Sequence, residues 1–192
     1  MFDELGIRAT FFVLGWVAER LPNLIKKIYD NGHEIASHGF WHNLCSEVRF
    51  FQLREELLRS KELLQDITGV RVLGFRAPNF SICKDLLALL KELGYVYDSS
   101  YNSFRLNSRY GELGKDLIQR EVDGIFQLHT GIFEIPISNF DFKNIVLPAG
   151  GGAYFRIYPL FVFKFLVKNI LKQKDGMCFI CIHGRLTLVN QG

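Results

Sequence analysis

Short apolar runs alternate with longer amphipathic stretches along most of the chain, a rhythm that predicts strands and helices taking turns and therefore an α/β fold. Ala9-Thr10-Phe11-Phe12-Val13-Leu14 reads as a strand, and Val17 to Asn31 as the helix after it, with Leu21, Leu24, Ile25 and Ile28 on one side and Gly32 as its stop. His33 to Ser37 is the next strand. Ser46 to Thr68 contains a long helix, marked by Leu53, Leu57, Leu58, Leu64 and Ile67 near helical spacing and ended by Thr68-Gly69. Val72 to Phe75 is a strand closed by Arg76-Ala77-Pro78, Leu86 to Leu93 a helix stopped by Gly94, and Tyr95-Val96-Tyr97 a strand leading into Asp98-Ser99-Ser100. Asn102 to Glu121 is polar and irregular. Ile125 to Leu128 and Phe133 to Ile137 read as strands with no helix between them, Gly150-Gly151-Gly152 as a tight or closely approached backbone, Pro159 to Lys172 as the last helix and Met177 to Ile182 as the last strand.

In β-α architectures functional groups gather at the carboxyl ends of the strands, where the loops share one face. His38, Arg76, Asp98 and His183 each fall at such an end. Within Ser37-His38-Gly39-Phe40-Trp41-His42 the two histidines have i, i+4 spacing, which brings both imidazoles to one ion if the backbone turns helical there. His33 and His129 read as ordinary strand-start and loop residues, and Phe40 and Trp41 as packing or groove-wall groups. Glu134, on a predicted strand, is the internal acid that no motif accounts for.

Composition narrows the partners. A chain of 192 residues, 48% hydrophobic and 22% charged, is large enough to bury a core as one domain. A formal charge of +3 with scattered basic residues gives no nucleic-acid surface. The longest apolar stretch, Tyr158 to Val167, is interrupted by Pro159 and Lys164, too short for the roughly 20 residues of a membrane span. The start shows neither a basic nor an apolar leader region, so no signal peptide is visible and the cytoplasm is slightly favoured. Cys45, Cys83, Cys178 and Cys181 are widely spread and expected to be free thiols; Cys178 and Cys181, three apart on a predicted strand, face opposite ways.

Together, Ala9-Thr10-Phe11-Phe12-Val13, Gly32-His33-Glu34-Ile35-Ala36-Ser37-His38, His42, Arg76-Ala77-Pro78 and His183 resemble the motifs of the polysaccharide deacetylases of the NodB-homology, carbohydrate esterase 4 family. Arg76 to Ile82, Tyr97-Asp98-Ser99-Ser100 and Gly150 to Arg156 are similar to a narrower group, the deacetylases of bacterial exopolysaccharide and exosortase loci. The resemblance implies a distorted (β/α) barrel and hydrolysis of the acetamide of N-acetylated sugars in a polysaccharide or oligosaccharide. It implies His38 and His42 as ligands of a divalent metal, zinc by preference, and His183 as the acid that protonates the departing sugar nitrogen. Arg76 resembles the arginine that orients a catalytic aspartate, Pro78 and Asn79 the segment whose backbone N–H steadies the oxyanion, and Asp98 and Ser99 a substrate-groove segment.

Two departures from the family pattern stand out. The family's first motif, an aspartate pair on the first strand that supplies the base and a third metal ligand, has no counterpart here. Asp3, six residues before Ala9, lies roughly 20 Å from the catalytic face at ~3.3 Å per residue and is rejected as a ligand. His183 is followed by Gly184-Arg185-Leu186 where the narrower group has proline, tryptophan and glutamate. The expectation is thus one domain over residues 1–192, a barrel lacking its first strand, truncated at the amino end, irregular at the carboxyl end and impaired in catalysis. An inactive carbohydrate-binding relic and an unrelated α/β metal hydrolase remain the alternatives.

Overall fold

In the computed structural model, residues 6–104, 110–143, 145–174 and 176–180 are described. The chain divides into two compact units, Met1–Pro136 and Ile137–Gly192. His183, Cys181 and Asp3 lie outside the described residues.

The first unit is built on a seven-stranded sheet. Its strands are β1 (Thr10–Val13), β2 (Glu34–Ser37), β3 (Gly74–Phe75), β4 (Tyr97–Asp98), β5 (Ile118–Val122), β6 (Ile125–Leu128) and β7 (Phe133–Glu134). They lie in the order β1-β2-β3-β4-β7-β6-β5. β1 through β4 and then β7 run parallel, and β6 and β5 continue antiparallel to the second edge. This mixed α/β sheet with helical crossovers is the class that the strand-helix rhythm predicts; among the described residues its edges are β1 and β5.

The predicted helix from Val17 to Asn31 is two helices, α1 (Gly15–Arg20) and α2 (Pro22–Asp30). The break has a local cause: Pro22 lacks an N–H and pushes the residue before it out of the helical region, and Leu21 sits at φ −130°, ψ 50°. α3 (Phe50–Thr68) ends on Gly69 at φ +77°, a left-handed cap that glycine adopts without a Cβ clash. Its inner face carries Leu53, Leu57 and Leu64, all at 3% exposure or less, and Ser60 Oγ meets Ser37 Oγ of β2 at 3.0 Å, which fixes α3 against the strand that leads to His38. Lys61 reaches from α3 to the carbonyl of Leu93 at 2.6 Å, capping the carboxyl end of α4 (Lys84–Glu92). The segment expected to be irregular as far as Glu121 instead contains a short 3-10 helix at Lys115–Leu117 and β5, which pairs with β6 through a turn at Asp123-Gly124.

The second unit holds a hairpin, β8 (Asn139–Phe142) with β9 (Ile145–Pro148), and two helices, α5 (Gly152–Ile157) and α6 (Leu160–Gln173). Phe140, Ala149, Leu166 and Ile170 form its core. Helix α6 matches the helix expected from Pro159 to Lys172, whereas the hairpin and α5 are additional elements. Gly150 is closely approached as expected: a Cβ there would lie 2.6 Å from the carbonyl oxygen of Ser138. Of the predicted last strand, Ile180 forms an isolated parallel bridge with Gly151, and residues 181–182 lie outside the described residues.

Candidate active site

Register decides which side chains meet at the carboxyl ends of the parallel strands. Val13, Ser37, Phe75, Asp98 and Glu134 are successive partners across β1, β2, β3, β4 and β7. The residues one step further on, including His38, Arg76 and Ser99, therefore alternate to the opposite face. Arg76 donates from Nε to the Ser99 carbonyl at 2.8 Å and from Nη2 to Ser99 Oγ at 2.7 Å, and its guanidinium lies 4.1 Å from the centre of the Phe12 ring. Phe12 and Arg76 thus share the face that carries His38.

His38 is held with one nitrogen occupied. Its Nδ1 lies 2.6 Å from the carbonyl oxygen of Arg76, which accepts only, so Nδ1 carries the hydrogen and Nε2 keeps its lone pair. Burial, with the neighbouring His42 and Arg76 adding to it against the Arg76 carbonyl, lowers its pKa to about 4, so the ring is neutral at neutral pH. Such a histidine, fixed in tautomer by a backbone carbonyl and presenting Nε2, has the form of a metal ligand with its outer hydrogen bond made.

His38 and His42 meet through a turn and not through the helix that i, i+4 spacing implies. The segment 38–43 is not helical; Gly39 at φ +77° and His42 at φ +64° turn it back on itself, and the rings of His38 and His42 come edge to face with centroids 5.2 Å apart. The turn is clamped from several directions. Gly15 and Trp16, at the start of α1, donate N–H bonds to the carbonyls of Gly39 and Phe40 at 2.9 and 3.3 Å. Phe40 is fully buried beneath the Arg59 guanidinium, 3.8 Å from its ring centre, and against Gly15. Asn43 ties the far end to Glu56 of α3 at 3.0 Å. Trp41 is half exposed, at 51%, beside Phe40. Because a Cβ on Gly15 would lie 2.3 Å from Phe40 Cδ2, Gly15→Ala is expected to cost about 1–3 kcal/mol by overpacking, read as a lowered thermal midpoint.

Pro78 is buried, and Asn79, at φ +50°, lies in the short 3-10 helix Pro78–Phe80. The first N–H groups of a helix have no intrahelical carbonyl to meet, which leaves the Asn79 amide for another acceptor. Asp98 and Ser99, read from the sequence as groove residues, stand at the end of β4 as expected but are 0% and 1% exposed, and both bond to protein: Ser99 Oγ donates to the Ile135 carbonyl, and Ser100 Oγ to Asp98. Burial raises the Asp98 pKa to about 6, against the pull of Glu134, Ser100, the Ser99 N–H and Arg76. Glu134 lies directly beside it, fully buried. The Arg76 guanidinium, oriented by Ser99 and Phe12, is close enough to oppose the rise that burial imposes on the Asp98 carboxyl.

A divalent metal would be taken by His38 and His42, whose rings are adjacent and one of whose nitrogens is freed by the Arg76 carbonyl. Among the described residues no group of three or more His, Cys, Asp or Glu that could hold a metal ion stands together. Cys45 and Cys83 are free thiols. No helix among the described residues is long and apolar enough to cross a membrane.

The polysaccharide deacetylase family model matches residues 1–97, and a domain of unknown function, DUF3473, matches residues 99–185. Among curated proteins, the chain is 34% identical over 116 residues to a peptidoglycan deacetylase-like protein of Gibberella zeae, covering 59% of this chain and 34% of that protein. It is 29% identical over 148 residues to the peptidoglycan deacetylase of Helicobacter pylori, covering 71% and 50%. The chain thus spans between a third and a half of the length of these relatives. A crystal structure from Mycobacterium smegmatis, described as a polysaccharide deacetylase, superimposes with a TM-score of 0.57 at 31% identity, covering 71% of this chain and 43% of that one. With its family model matching residues 1–97, about half of the sequence, the chain belongs to the polysaccharide deacetylase family.

Proposed function

We propose that the rim at the ends of β2, β3 and β4 is part of a metal-dependent centre that hydrolyses the acetamide of N-acetylated sugars in a polysaccharide. The observation that supports it most is the pair His38 and His42, brought edge to face at 5.2 Å by a clamped turn, with the Nδ1 of His38 tied to the Arg76 carbonyl. A zinc ion bound there would supply Lewis acidity and lower the pKa of water. The residues of the chain do the rest. His38 and His42 hold the ion, and Arg76, locked on Ser99, orients the carboxylate base that the family carries in its first motif. The Asn79 N–H receives charge developing on the carbonyl oxygen of the substrate, where one such donor is worth about 10²–10³ in rate. His183 delivers a proton to the departing sugar nitrogen, which otherwise leaves poorly.

The substrate class is supported by the relatives, one named a peptidoglycan deacetylase and another peptidoglycan deacetylase-like. The test uses the chain joined to a first strand bearing the family's aspartate pair. Zinc-loaded protein is expected to release acetate from an N-acetylglucosamine oligomer, to stop when the metal is chelated and to recover on zinc addition; release that survives chelation would sink the metal assignment. The 192 residues alone are expected to turn over negligibly, because no carboxylate joins the two imidazoles among the described residues. Rapid turnover by them would reveal another base.

A further inference from the structure

One buried pair of acids has no part in that chemistry. Asp98 and Glu134 are register partners on the parallel strands β4 and β7, so their side chains stand together on one face of the sheet, and both are 0% exposed. Two carboxylates removed from water and placed side by side repel each other while each loses its hydration, and such a pair keeps one proton between them.

The hydrogen bonds locate that proton. Asp98 Oδ1 accepts from Ser100 Oγ, and Glu134 Oε1 accepts from the N–H of Tyr101 at 2.9 Å. The two oxygens left without a donor are Asp98 Oδ2 and Glu134 Oε2, one from each acid. Ionised carboxylates only accept, so these two atoms satisfy each other only if one of them carries hydrogen. Asp98 has the Ser100 hydroxyl, the Ser99 N–H and the Arg76 guanidinium to stabilise an anion, whereas Glu134 has the N–H groups of Tyr101 and Ser100 but the Asp98 charge against it.

We infer that Glu134 is a neutral carboxylic acid at neutral pH, a standing hydrogen-bond donor to an ionised Asp98, and that this singly charged pair is the positioning element for the Arg76-Ala77-Pro78 end of β3. The connection is traceable bond by bond. Glu134 donates to Asp98; Asp98 accepts from Ser100 Oγ; Ser100 Oγ accepts from the N–H of Ala77 at 2.7 Å; and the Arg76 carbonyl that joins Ala77 accepts from His38 Nδ1. Burial first, and then the charge of Asp98, pushes the Glu134 pKa well above the usual carboxylate range. The other titratable groups facing Asp98 are Arg76 from the end of β3, which opposes the rise, and the thiols of Cys45 and Cys83, which burial keeps neutral by raising their pKa values, that of Cys45 to about 12. The pair stands whether or not the rim holds a metal.

The test is made on the 192-residue chain. Infrared spectra at pH 7, with glutamate isotopically labelled for assignment, are expected to show the carbonyl stretch of a protonated glutamic acid, absent in Glu134→Gln. Glu134→Gln keeps a donor for Asp98 and an acceptor for Tyr101, so it is expected to fold, whereas Glu134→Ala is expected to melt lower at every pH. The pH dependence separates the proton from simple packing. An acid whose folded pKa is raised stabilises fully below its unfolded value, about 4.3, and that contribution is lost as pH rises toward the folded value. The thermal midpoint of the wild type should therefore fall relative to that of Glu134→Gln between about pH 4 and pH 8. A midpoint difference that stays flat across that range overturns the inference, and so does the lack of a glutamic-acid band at pH 7. The band is read on the wild type and decides even if both variants fail to fold.

Discussion

In the chain joined to a first strand bearing the family's aspartate pair, His38→Ala is expected to abolish zinc-dependent acetate release, a loss of at least ~10³ in kcat/KM, since Lewis-acid stabilisation contributes several kcal/mol to the barrier. The same substitution should also lower the thermal midpoint, because His38 would do two things: its Nε2 is left for the proposed metal while its Nδ1 donates to the Arg76 carbonyl at 2.6 Å. Removing the ring leaves that carbonyl without its donor, at about 1–3 kcal/mol where it is shut away from water. His42→Ala separates the two effects. His42 is exposed on the turn and no hydrogen bond to its ring is seen among the described residues, so zinc affinity and acetate release should fall as for His38 while the midpoint stays within about 0.5 kcal/mol of wild type, the range of ordinary surface changes. Zinc titration calorimetry, acetate release and thermal melting on the three proteins read the pattern. Acetate release that persists in either variant would sink the two-histidine assignment.

What the sequence made legible was the periodic part of the chain. Strand ends that follow apolar runs put His38, Arg76 and Asp98 on neighbouring parallel strands, as the placement rule requires. The turn was not legible, because i, i+4 spacing assumes a helix and here positive φ at Gly39 and His42 replaces it. Nor was the helix break, although Pro22 announces it in plain sight. The burial of Glu134 was not legible either, because binary patterning points the other way: in Phe133-Glu134 the phenylalanine is 40% exposed and the glutamate 0%. A strand that buries its acid and exposes its aromatic breaks the usual rule, and such local conflicts gather where a fold is carrying something other than stability. The hairpin of the second unit did leave a signal, two short apolar runs on either side of Lys143-Asn144, but with Pro148 in the second run the pattern is weak.

Phe40→Ala carries the largest expected loss of stability and tests whether the motif between the two histidines is structural. Nothing in Ser37-His38-Gly39-Phe40-Trp41-His42 says which aromatic anchors the turn, and the structure divides the work: Trp41 faces outward at 51% exposure and Phe40 is fully enclosed. The Phe40 ring fills the space that glycine at position 15 leaves, lies under Arg59 at 3.8 Å and belongs to the residue whose carbonyl accepts from Trp16. Truncating such a ring costs about 3–5 kcal/mol, and at roughly 2–4 °C per kcal/mol for a chain of this size the midpoint should drop by about 10 °C. The consequence reaches the site, because the same turn sets the separation of the His38 and His42 rings. Zinc affinity should weaken by about tenfold or more, in the range seen when the groups that orient metal ligands are lost. Phe40→Leu, which keeps most of the volume but not the ring under Arg59, should lie between the two. If Phe40→Ala melts with the wild type or binds zinc as tightly, the turn is held by its backbone bonds to α1 and not by the buried ring.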